Sequence, residues 1–551
     1  MRSFKVYLKG KEFILKEDSR YEKLLNKDYI DNKVPITLLK SGNRYYEFTD
    51  LIKEDCSLEF IDISNPQGKI AYSRTLQFAF IKATLDLFKD ARINIEHSIS
   101  KGTFGEIHKE KALEKEDILK IKKRMQDIID KNIIIEKVKM SKKEAIDIFK
   151  AYKMQDKVNL LSWVQEEEVN LYKLEDRYDY FYGDMAYSTG VLKYFDLLFY
   201  NPGFILMVPS HKKPTVVPKF KEQKKLFNVF RENETWLNIL ETPDVGSLNY
   251  KLSGEDKEDI IRVSEALHEK KIAQIADMIS ERKEVKIVLV SGPSSSGKTT
   301  FSKRLSIQLR VNGFMPIAIS LDDYFINRIH TPLDEDGKPD FESINALDLD
   351  LFNKNLYNIL EGDEVEIPSY NFKKGEREWL GNKIKLPSNG ILVIEGIHGL
   401  NPKLTEKIHS KNKFKIYISA LTQLNLDNHN RIPTTDVRKI RRIVRDSLSR
   451  GYGAEQTLEM WSSIKRGEEK NIFVYQEEAD VMFNSTLVYE LAALKKYAIE
   501  ELEKVDKNSL VYYEAKRIIN TLKFFVEVKP ERVPENSILR EFIGGSCFYK
   551  Y

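Results

Sequence analysis

The stretch "VLVSGPSSSGKTTFSK", residues 288–303, decides the fold of this chain. An apolar run ends at Gly292, and the residues Gly297, Lys298 and Thr299 follow at fixed spacing. The pattern Gly-x-x-x-x-Gly-Lys-Thr matches a phosphate-binding loop in full, with a strand pattern before it and a helix pattern after it. In such a loop the backbone N–H groups turn toward phosphate oxygens, and the helix N-terminus favours the same anion.

This loop predicts that the chain binds a nucleoside triphosphate and Mg²⁺. Lys298 is expected to reach the terminal phosphates, and the hydroxyl of Thr299 is expected to hold Mg²⁺. GTPases, motors and small-molecule kinases all use the loop, but we find no NKxD-type base-reading box of the GTPase kind. The residues predicted to contact ATP are Gly292, Pro293, Ser294, Ser295, Ser296, Gly297, Lys298, Thr299 and Thr300.

Two later apolar runs end in carboxylates. Asp322 and Asp323 follow the run in "ISLDDYF", and Glu395 follows the run in "GILVIEGIHGL". The carboxyl ends of parallel strands open on the ligand crevice of an α/β sheet. We expect Asp322, with Asp323 as the alternative, to accept a proton from an attacking hydroxyl or to help bind Mg²⁺. Glu395 is a predicted Mg²⁺ ligand, and a helix N-cap is the structural alternative for Asp322.

Residues 438–450, "RKIRRIVRDSLSR", crowd arginines onto one predicted helix. A solvated charged face and RNA binding are two interpretations of such a run. A third is a lid that places cations over a transferring phosphoryl group and excludes water. The presence of the phosphate-binding loop favours the lid.

The composition is that of an ordinary globular protein. The 551 residues carry 42% hydrophobic and 32% charged side chains with a net charge of +4, which gives no support to a chain-wide nucleic-acid surface. Cys56 and Cys547 are the two cysteines, so neither a disulfide framework nor a cysteine zinc site is expected. We found neither a signal-peptide pattern nor an apolar run long enough to span a bilayer, and therefore expect a cytoplasmic protein without a membrane partner.

Taken together, the segments "SGPSSSGKTT", "LDDYF", "SYNFKKGER", "VIEGIHGLN" and "RRIVRDSLSRGYGAEQTL" resemble the uridine kinase/phosphoribulokinase family over roughly residues 285–490. The resemblance implies transfer of the ATP γ-phosphate to the 5′-hydroxyl of a nucleoside. It implies that Asp322 is the general base and that Thr299 and Glu395 hold Mg²⁺. The further catalytic residues it implies are Lys298, Arg442 and Arg445. The substrate-binding residues it implies, besides Asp322, are Tyr324, Glu342, Tyr370 and Arg441.

Three positions depart from the pattern of uridine–cytidine kinases. Gly375 stands where a histidine is typical, Tyr452 replaces an arginine, and Met460 replaces a glutamine. These positions help to read base and sugar, so the acceptor stays open. One alternative is a kinase of another sugar or of a sugar phosphate. Another is an ATP-sensing regulator that binds RNA or protein without turnover.

The N-terminal part resembles two regions of threonyl-tRNA synthetases. Residues 1–62 are similar to the ubiquitin-like TGS domain, and later segments such as "YDYFYGDMAYSTGVLKYF" are similar to the editing domain. Editing enzymes of this kind carry HxxxH and CxxxH motifs. The matching positions hold Tyr72, Leu76, Phe181 and Met185, so we predict no editing chemistry and no zinc there. Nucleic acid remains an uncertain partner.

The predicted fold class is an α/β P-loop kinase domain with a parallel sheet between helices. It follows a small ubiquitin-like β-grasp domain and an α+β editing-like domain. We also consider a homo-oligomer. The predicted boundaries are 1–62 and 63–210 for the first two domains, 211–284 for a linker with an amphipathic helix, 285–490 for the kinase domain and 491–551 for a helical extension.

Overall fold

The computed structural model describes residues 3–25, 32–255, 257–422 and 424–549. The first region is a five-stranded sheet in the order β2-β1-β5-β3-β4. Its strands are β1 (Ser3–Leu8), β2 (Lys11–Lys16), β3 (Ile36–Ser41), β4 (Arg44–Tyr46) and β5 (Cys56–Asp62). The central pair β1–β5 is parallel and the other pairs are antiparallel. Alternate residues of β1 are buried, as period-two patterning requires. The predicted β-grasp sheet is confirmed.

The second region is α+β, as predicted, with two antiparallel sheets. Its strand orders are β11-β12-β7-β6 and β10-β9-β8. The strands are β6 (Arg92–Ile99), β7 (Gly102–His108), β8 (Glu136–Ser141), β9 (Glu168–Leu174), β10 (Arg177–Asp179), β11 (Asp196–Tyr200) and β12 (Gly203–Met207). The helices are α1 (Pro66–Leu87), α2 (Lys115–Asp130), α3 (Lys142–Ala151) and α4 (Gln155–Leu161). Helix α1 begins where the Asn65 side chain accepts the N–H of Gln67 and Pro66 follows, a favourable helix start.

The predicted linker, residues 211–284, contains helices before its amphipathic helix. These are α5 (Lys224–Ile239) and α6 (Val245–Ser253), followed by the predicted amphipathic helix α7 (Lys257–Glu281). The apolar side chains Leu226, Val229 and Phe230 recur at helical spacing and are buried beside Leu400 and Tyr417. Composition alone missed α5 because lysine and glutamate are also good helix formers.

The third region is a five-stranded, all-parallel sheet in the order β14-β19-β13-β20-β21. Its strands are β13 (Ile287–Ser291), β14 (Met315–Ser320), β19 (Gly390–Glu395), β20 (Lys413–Ser419) and β21 (Val481–Asn484). The short strands β15 (Val365–Glu366), β16 (Ser369–Asn371), β17 (Glu376–Glu378) and β18 (Lys383–Ile384) form two hairpin-like pairs outside it. The apolar runs at 286–290, 315–320, 391–395 and 415–420 predict β13, β14, β19 and β20, whereas the sequence pattern gives no prediction for β21. Every residue of the central strand β13 is buried, as expected for a strand covered on both faces.

Helices cover this sheet and continue into the C-terminal part. They are α8 (Lys298–Val311), α9 (Leu349–Glu361), α10 (Thr434–Ser449), α11 (Ala454–Asn471), α12 (Glu490–Leu502), α13 (Tyr512–Lys523) and α14 (Arg540–Ile543). One apolar core includes side chains from α7, α8, α10, α12, α13 and α14, among them Ile272, Leu305, Ile440, Leu494, Ile518 and Phe542. The C-terminal helices are therefore packed into the same core as the helices of the parallel sheet. In the described ranges, no helix is both long enough and apolar enough to cross a bilayer.

A buried charge cluster joins the second region to the segment between β20 and α10. The Nζ atom of Lys157 on α4 lies 2.9 Å from Oδ1 of Asp179 and 3.1 Å from Oδ1 of Asp427, and all three side chains are fully buried. His429 Nδ1 lies 2.7 Å from the other oxygen of Asp179. Burial raises the pKa of Asp179, but His429 and Lys157 outweigh it and hold that pKa below its ordinary value. The cluster ties residues that are 250 positions apart in sequence.

Candidate functional site

The phosphate-binding loop joins β13 to α8 at the carboxyl edge of the parallel sheet. A Cβ atom on Gly292 would lie 1.9 Å from the carbonyl oxygen of Ile418 on β20, so the backbone leaves no room for a side chain. Gly297 precedes the first residue of α8 and has φ +83°, in the left-handed region. Both glycines of the motif are thus required by the local geometry.

Replacing Gly297 with alanine is expected to lower the free energy of unfolding more than the same change at Gly313. Both residues have positive φ, but a Cβ at position 297 would lie 2.6 Å from Cγ2 of Ile538, whereas nothing lies within 4 Å at position 313. Backbone strain should cost each variant about 1–2 kcal/mol, and overpacking should add about 1–2 kcal/mol at Gly297. Chemical denaturation followed by circular dichroism measures both. Equal losses would contradict the close packing of Ile538 on the loop.

Helix α10 lies against the loop through its arginines. Arg438 Nε donates to the carbonyl of Ser294 at 3.0 Å, and Arg442 Nη1 donates to the Ser294 hydroxyl at 2.9 Å. Glu468 of α11 pairs with Arg438 and also accepts the Ser294 N–H at 3.1 Å. Arg438 was not among the predicted site residues. Arg438 lies three and four residues before Arg441 and Arg442, which places it on the same helix face. This spacing is the sequence signal that could have identified it.

Arg441, predicted to bind substrate, lies beneath the loop. Its side chain is fully buried, and Nη2 lies 2.7 Å from an oxygen of Glu490. The same guanidinium donates to the hydroxyl of Ser485 at 2.9 Å and to the carbonyl of Ser295 at 3.4 Å. These partners give Arg441 a supporting position beneath the loop, and its contact with the acceptor stays a prediction.

Three arginines gather around the buried carboxylate of Asp446. Arg445 donates to Asp446 Oδ1 at 2.8 Å, and the Nε atoms of Arg442 and Arg450 lie 3.1 and 3.8 Å from its oxygens. Burial, followed by repulsion from Arg445, lowers the pKa of Arg442. Repulsion from Arg445, followed by burial, lowers the pKa of Arg450 to about 10. Asp446 pairs with all three guanidinium groups, while Glu342 and Glu468 also act on Arg442 and Asp322 also acts on Arg450.

The predicted carboxylates meet beside the loop. In register, Glu395 lies between Val290 and Ser320, and the Ser320 hydroxyl donates to Glu395 Oε1 at 3.1 Å. Burial, followed by the charge of Asp322, raises the pKa of Glu395 to about 7. Asp323 accepts the backbone N–H of Tyr370 at 3.1 Å, which commits it to holding β16. Asp322 therefore differs from Asp323 in two ways. Its charge acts on Glu395, and it does not hold the backbone of β16.

The predicted acceptor residues fall into two groups. Tyr324 is 1% exposed, packs edge-on against Phe352 and accepts a hydrogen bond from Asn355, so it belongs to the core. Tyr370 lies at the edge of the site, its ring 5.2 Å from that of Phe372. Burial, followed by Glu468, raises the pKa of Glu342 to about 7, and the opposing charges on it come from Arg442, Lys298 and Arg438. Glu342 therefore lies near the loop, and Tyr324 is buried, so its predicted contact with the acceptor stays a prediction.

The loop residues fit a bound polyphosphate. The hydroxyls of Ser295 and Ser296 and Oε2 of Glu342 are buried without a hydrogen-bond partner among the described residues. Buried polar atoms normally find partners, so these atoms point to a ligand. Thr299 follows Lys298 in the first turn of α8, and its hydroxyl with the Glu395 carboxylate is a donor set that suits Mg²⁺. The N–H and hydroxyl of Thr300 already have a partner, the carboxylate of Glu541.

The four editing positions of the second region lie together in an apolar cluster. Tyr72 and Leu76 are fully buried, and Phe181 and Met185 are 4% and 2% exposed. The Tyr72 hydroxyl donates to the carbonyl of Tyr194 at 2.8 Å. These side chains pack together where an editing domain would carry its histidines and cysteine, and none of them is a usual zinc ligand. The absence of editing chemistry stays a prediction.

Comparison with known proteins gives separate matches for the two halves of the chain. Residues 287–492 match the model of the Phosphoribulokinase / Uridine kinase family. A uridine kinase from Bacillus pumilus is 26% identical over 180 residues, which are 33% of this chain and 76% of that protein. A threonine–tRNA ligase from Fusobacterium nucleatum is 30% identical over 160 residues, 29% of this chain and 26% of that ligase. The chain thus spans about a quarter of the length of that ligase.

Among solved structures, that of a possible uridine kinase from Bacillus stearothermophilus is similar, with 18% identity and a TM-score of 0.25 over 36% of this chain and 89% of that chain. The family match covers the loop, the carboxylates and the arginine helix described above. The ligase matches lie in the N-terminal region. Residues 287–492 therefore form a kinase domain of the phosphoribulokinase/uridine kinase family, fused to an N-terminal region homologous to part of threonine–tRNA ligases.

Proposed function

We propose that this kinase transfers the γ-phosphate of ATP to the 5′-hydroxyl of a nucleoside, with a uridine- or cytidine-like acceptor as the first candidate. The observation that carries the proposal is the meeting of the phosphate-binding loop with Asp322 and Glu395 at one sheet edge. A P-loop alone binds nucleotide. A carboxylate free to take a proton beside it adds the means to activate an alcohol. The match to uridine kinases supports the choice of acceptor.

In this proposal the residues of the chain have separate tasks. Asp322 accepts the proton of the acceptor hydroxyl as the hydroxyl oxygen bonds to the γ-phosphorus, and the bond from that phosphorus to the β,γ-bridging oxygen breaks to release ADP. Lys298, Arg442 and Arg445 stabilise the negative charge that spreads over the transferring group. Mg²⁺, held by Thr299 and Glu395, would supply further positive charge to the phosphate oxygens. We place Glu342 and Tyr370 at the acceptor.

A sugar phosphate is the second candidate acceptor, and the arginine cluster favours it. Arg442, Arg445 and Arg450 share the single carboxylate of Asp446, and Arg450 also feels the charge of Asp322. A group of guanidinium ions close to the proposed base is suited to a second phosphate on the acceptor.

A panel assay tests the proposal and separates the candidates. ATP consumption is measured with Mg²⁺ and each of several pyrimidine and purine nucleosides, pentoses and pentose phosphates. We expect turnover with a nucleoside, and the 5′-monophosphate as product. Turnover with a pentose phosphate alone would select the second candidate. No turnover with any acceptor, together with tight and steeply salt-dependent tRNA binding, would favour an ATP-sensing regulator.

Replacing Asp322 with asparagine is expected to lower kcat by at least roughly 10²-fold, because the amide cannot accept the proton. The matched control is Asp323→Asn. Its amide oxygen can still accept the Tyr370 N–H, so kcat should change far less. Steady-state kinetics with the best acceptor measure both variants. A larger loss of kcat in Asp323→Asn than in Asp322→Asn would contradict the assignment of Asp322 as the base.

A further inference from the structure

The C-terminal segment returns to the phosphate-binding loop and contacts it through polar groups. Oε2 of Glu541 on α14 accepts the backbone N–H of Thr300 at 3.1 Å and the Thr300 hydroxyl at 3.0 Å. The hydroxyl of Tyr549 lies 2.8 Å from the same Thr300 oxygen. A carboxylate of the chain therefore occupies a backbone donor at the start of α8.

Apolar packing holds this carboxylate in place. Ile538, Leu539 and Phe542 are fully buried in the core beneath the loop. The ring of Phe542 lies 5.0 Å from the guanidinium carbon of Arg441, which itself supports the loop. Arg540 donates to the carbonyls of Pro530 and Gly544, which fixes the turns on either side of α14. The position of Glu541 is thus set by the fold and not by an unrestrained tail.

The position matters because of what the loop is built to bind. The backbone N–H groups at the loop and at the helix N-terminus are the donors for the α- and β-phosphates of a nucleotide. Glu541 already supplies an anion to one of them. An entering triphosphate would therefore meet both an occupied donor and a like charge.

We propose that residues 538–549 form an autoinhibitory element, in which the Glu541 carboxylate stands in for a nucleotide phosphate at Thr300. Nucleotide binding and the Glu541–Thr300 contact are mutually exclusive. The inference rests on the proposed function, because it requires that the loop bind nucleotide. Only molecules in which the Glu541–Thr300 contact is broken can bind nucleotide, so the apparent affinity for nucleotide is reduced in proportion to their fraction. A signal that breaks this contact would therefore activate the enzyme.

Calorimetric titration of the full chain with the Mg²⁺ complex of adenylyl imidodiphosphate tests the inference. We expect Glu541→Gln to lower the Kd by roughly 10- to 100-fold, because the like charge is removed and the hydrogen bonds from Thr300 become weaker neutral ones. Tyr549→Phe removes one hydroxyl with little risk to folding and should lower the Kd by roughly 2- to 10-fold. Glu535→Gln is the matched control, since Glu535 is exposed and lies three residues before the element, and the Kd of this variant should equal that of the wild type.

Hydrogen exchange gives a second measurement on the unmodified protein. Saturating nucleotide should raise exchange in peptides covering residues 540–549, since Glu541 and Tyr549 lose their contacts with Thr300. The inference would be overturned if the wild type binds nucleotide, neither Glu541→Gln nor Tyr549→Phe binds it more tightly, and nucleotide causes no rise in exchange. The proposed function would remain intact.

Two further outcomes separate the proposals. Tighter binding by Glu541→Gln without phosphoryl transfer to any acceptor would support the inference and contradict the proposed kinase reaction. A complete lack of nucleotide binding in every variant would overturn both.

Discussion

Replacing Lys298 with alanine lowers kcat/KM for phosphoryl transfer by roughly 10³–10⁵-fold, the range found for a cation on the transferring phosphoryl group. In the structure Lys298 Nζ donates to the carbonyl of Pro293 at 3.1 Å, within its own loop. Its charge acts on both Glu342 and Glu395, so the ammonium lies close enough to influence both carboxylates. Because alanine is a good helix former at the start of α8, the fold should be retained.

The measurement is steady-state kinetics with the best acceptor of the panel, beside circular dichroism spectra of each variant. Lys303→Ala is the matched control, because Lys303 is an exposed lysine on the same helix. It should keep wild-type kcat/KM. Wild-type-like turnover by Lys298→Ala would contradict the assignment of the loop to catalysis.

Replacing Lys157 with methionine is expected to lower the free energy of unfolding by about 3–5 kcal/mol. Methionine has a similar length but no charge, so Asp179 and Asp427 would remain buried without their shared cation. Removal of one partner from a buried ion pair is costly, because the remaining charge is then buried with neither water nor an opposite charge around it. The second region and the segment before α10 should separate more easily as a result.

Urea denaturation followed by circular dichroism measures this loss, and hydrogen exchange in peptides around Asp427 reports whether the junction opens first. Lys150→Met is the control, since Lys150 is exposed on the neighbouring helix α3. The double variant Lys157→Met/Asp427→Asn should lose less than the sum of the single losses, because the two residues interact directly. A loss below about 1 kcal/mol in Lys157→Met would show that the cluster does not stabilise the junction.

Much of the architecture was predictable because it depends on local patterns. The glycine spacing of the loop, the apolar runs of β13, β14, β19 and β20 and the alternation of β1 each reflect the backbone geometry of a short segment. Helix α5 and strand β21 were missed. The first lies in a stretch whose prolines and charges resemble a connection, and the second has only four residues.

The candidate site was predictable in part. Asp322, Glu395, Lys298 and Thr299 meet at the carboxyl edge, as strand order in a parallel sheet requires. Other side chains are placed by their neighbours. Tyr324 points into the core, and Asp323 is committed to β16.

The sequence by itself determined that a phosphate-binding loop exists, which strands flank it and which family the kinase domain resembles. All of these follow from residue types at short, fixed spacings. Only the tertiary structure decided which arginine of α10 lies inside the fold and that Glu541 contacts Thr300 across 241 positions of sequence. These contacts join side chains from distant parts of the chain. Local residue spacing cannot predict which of those side chains become neighbours in the folded protein.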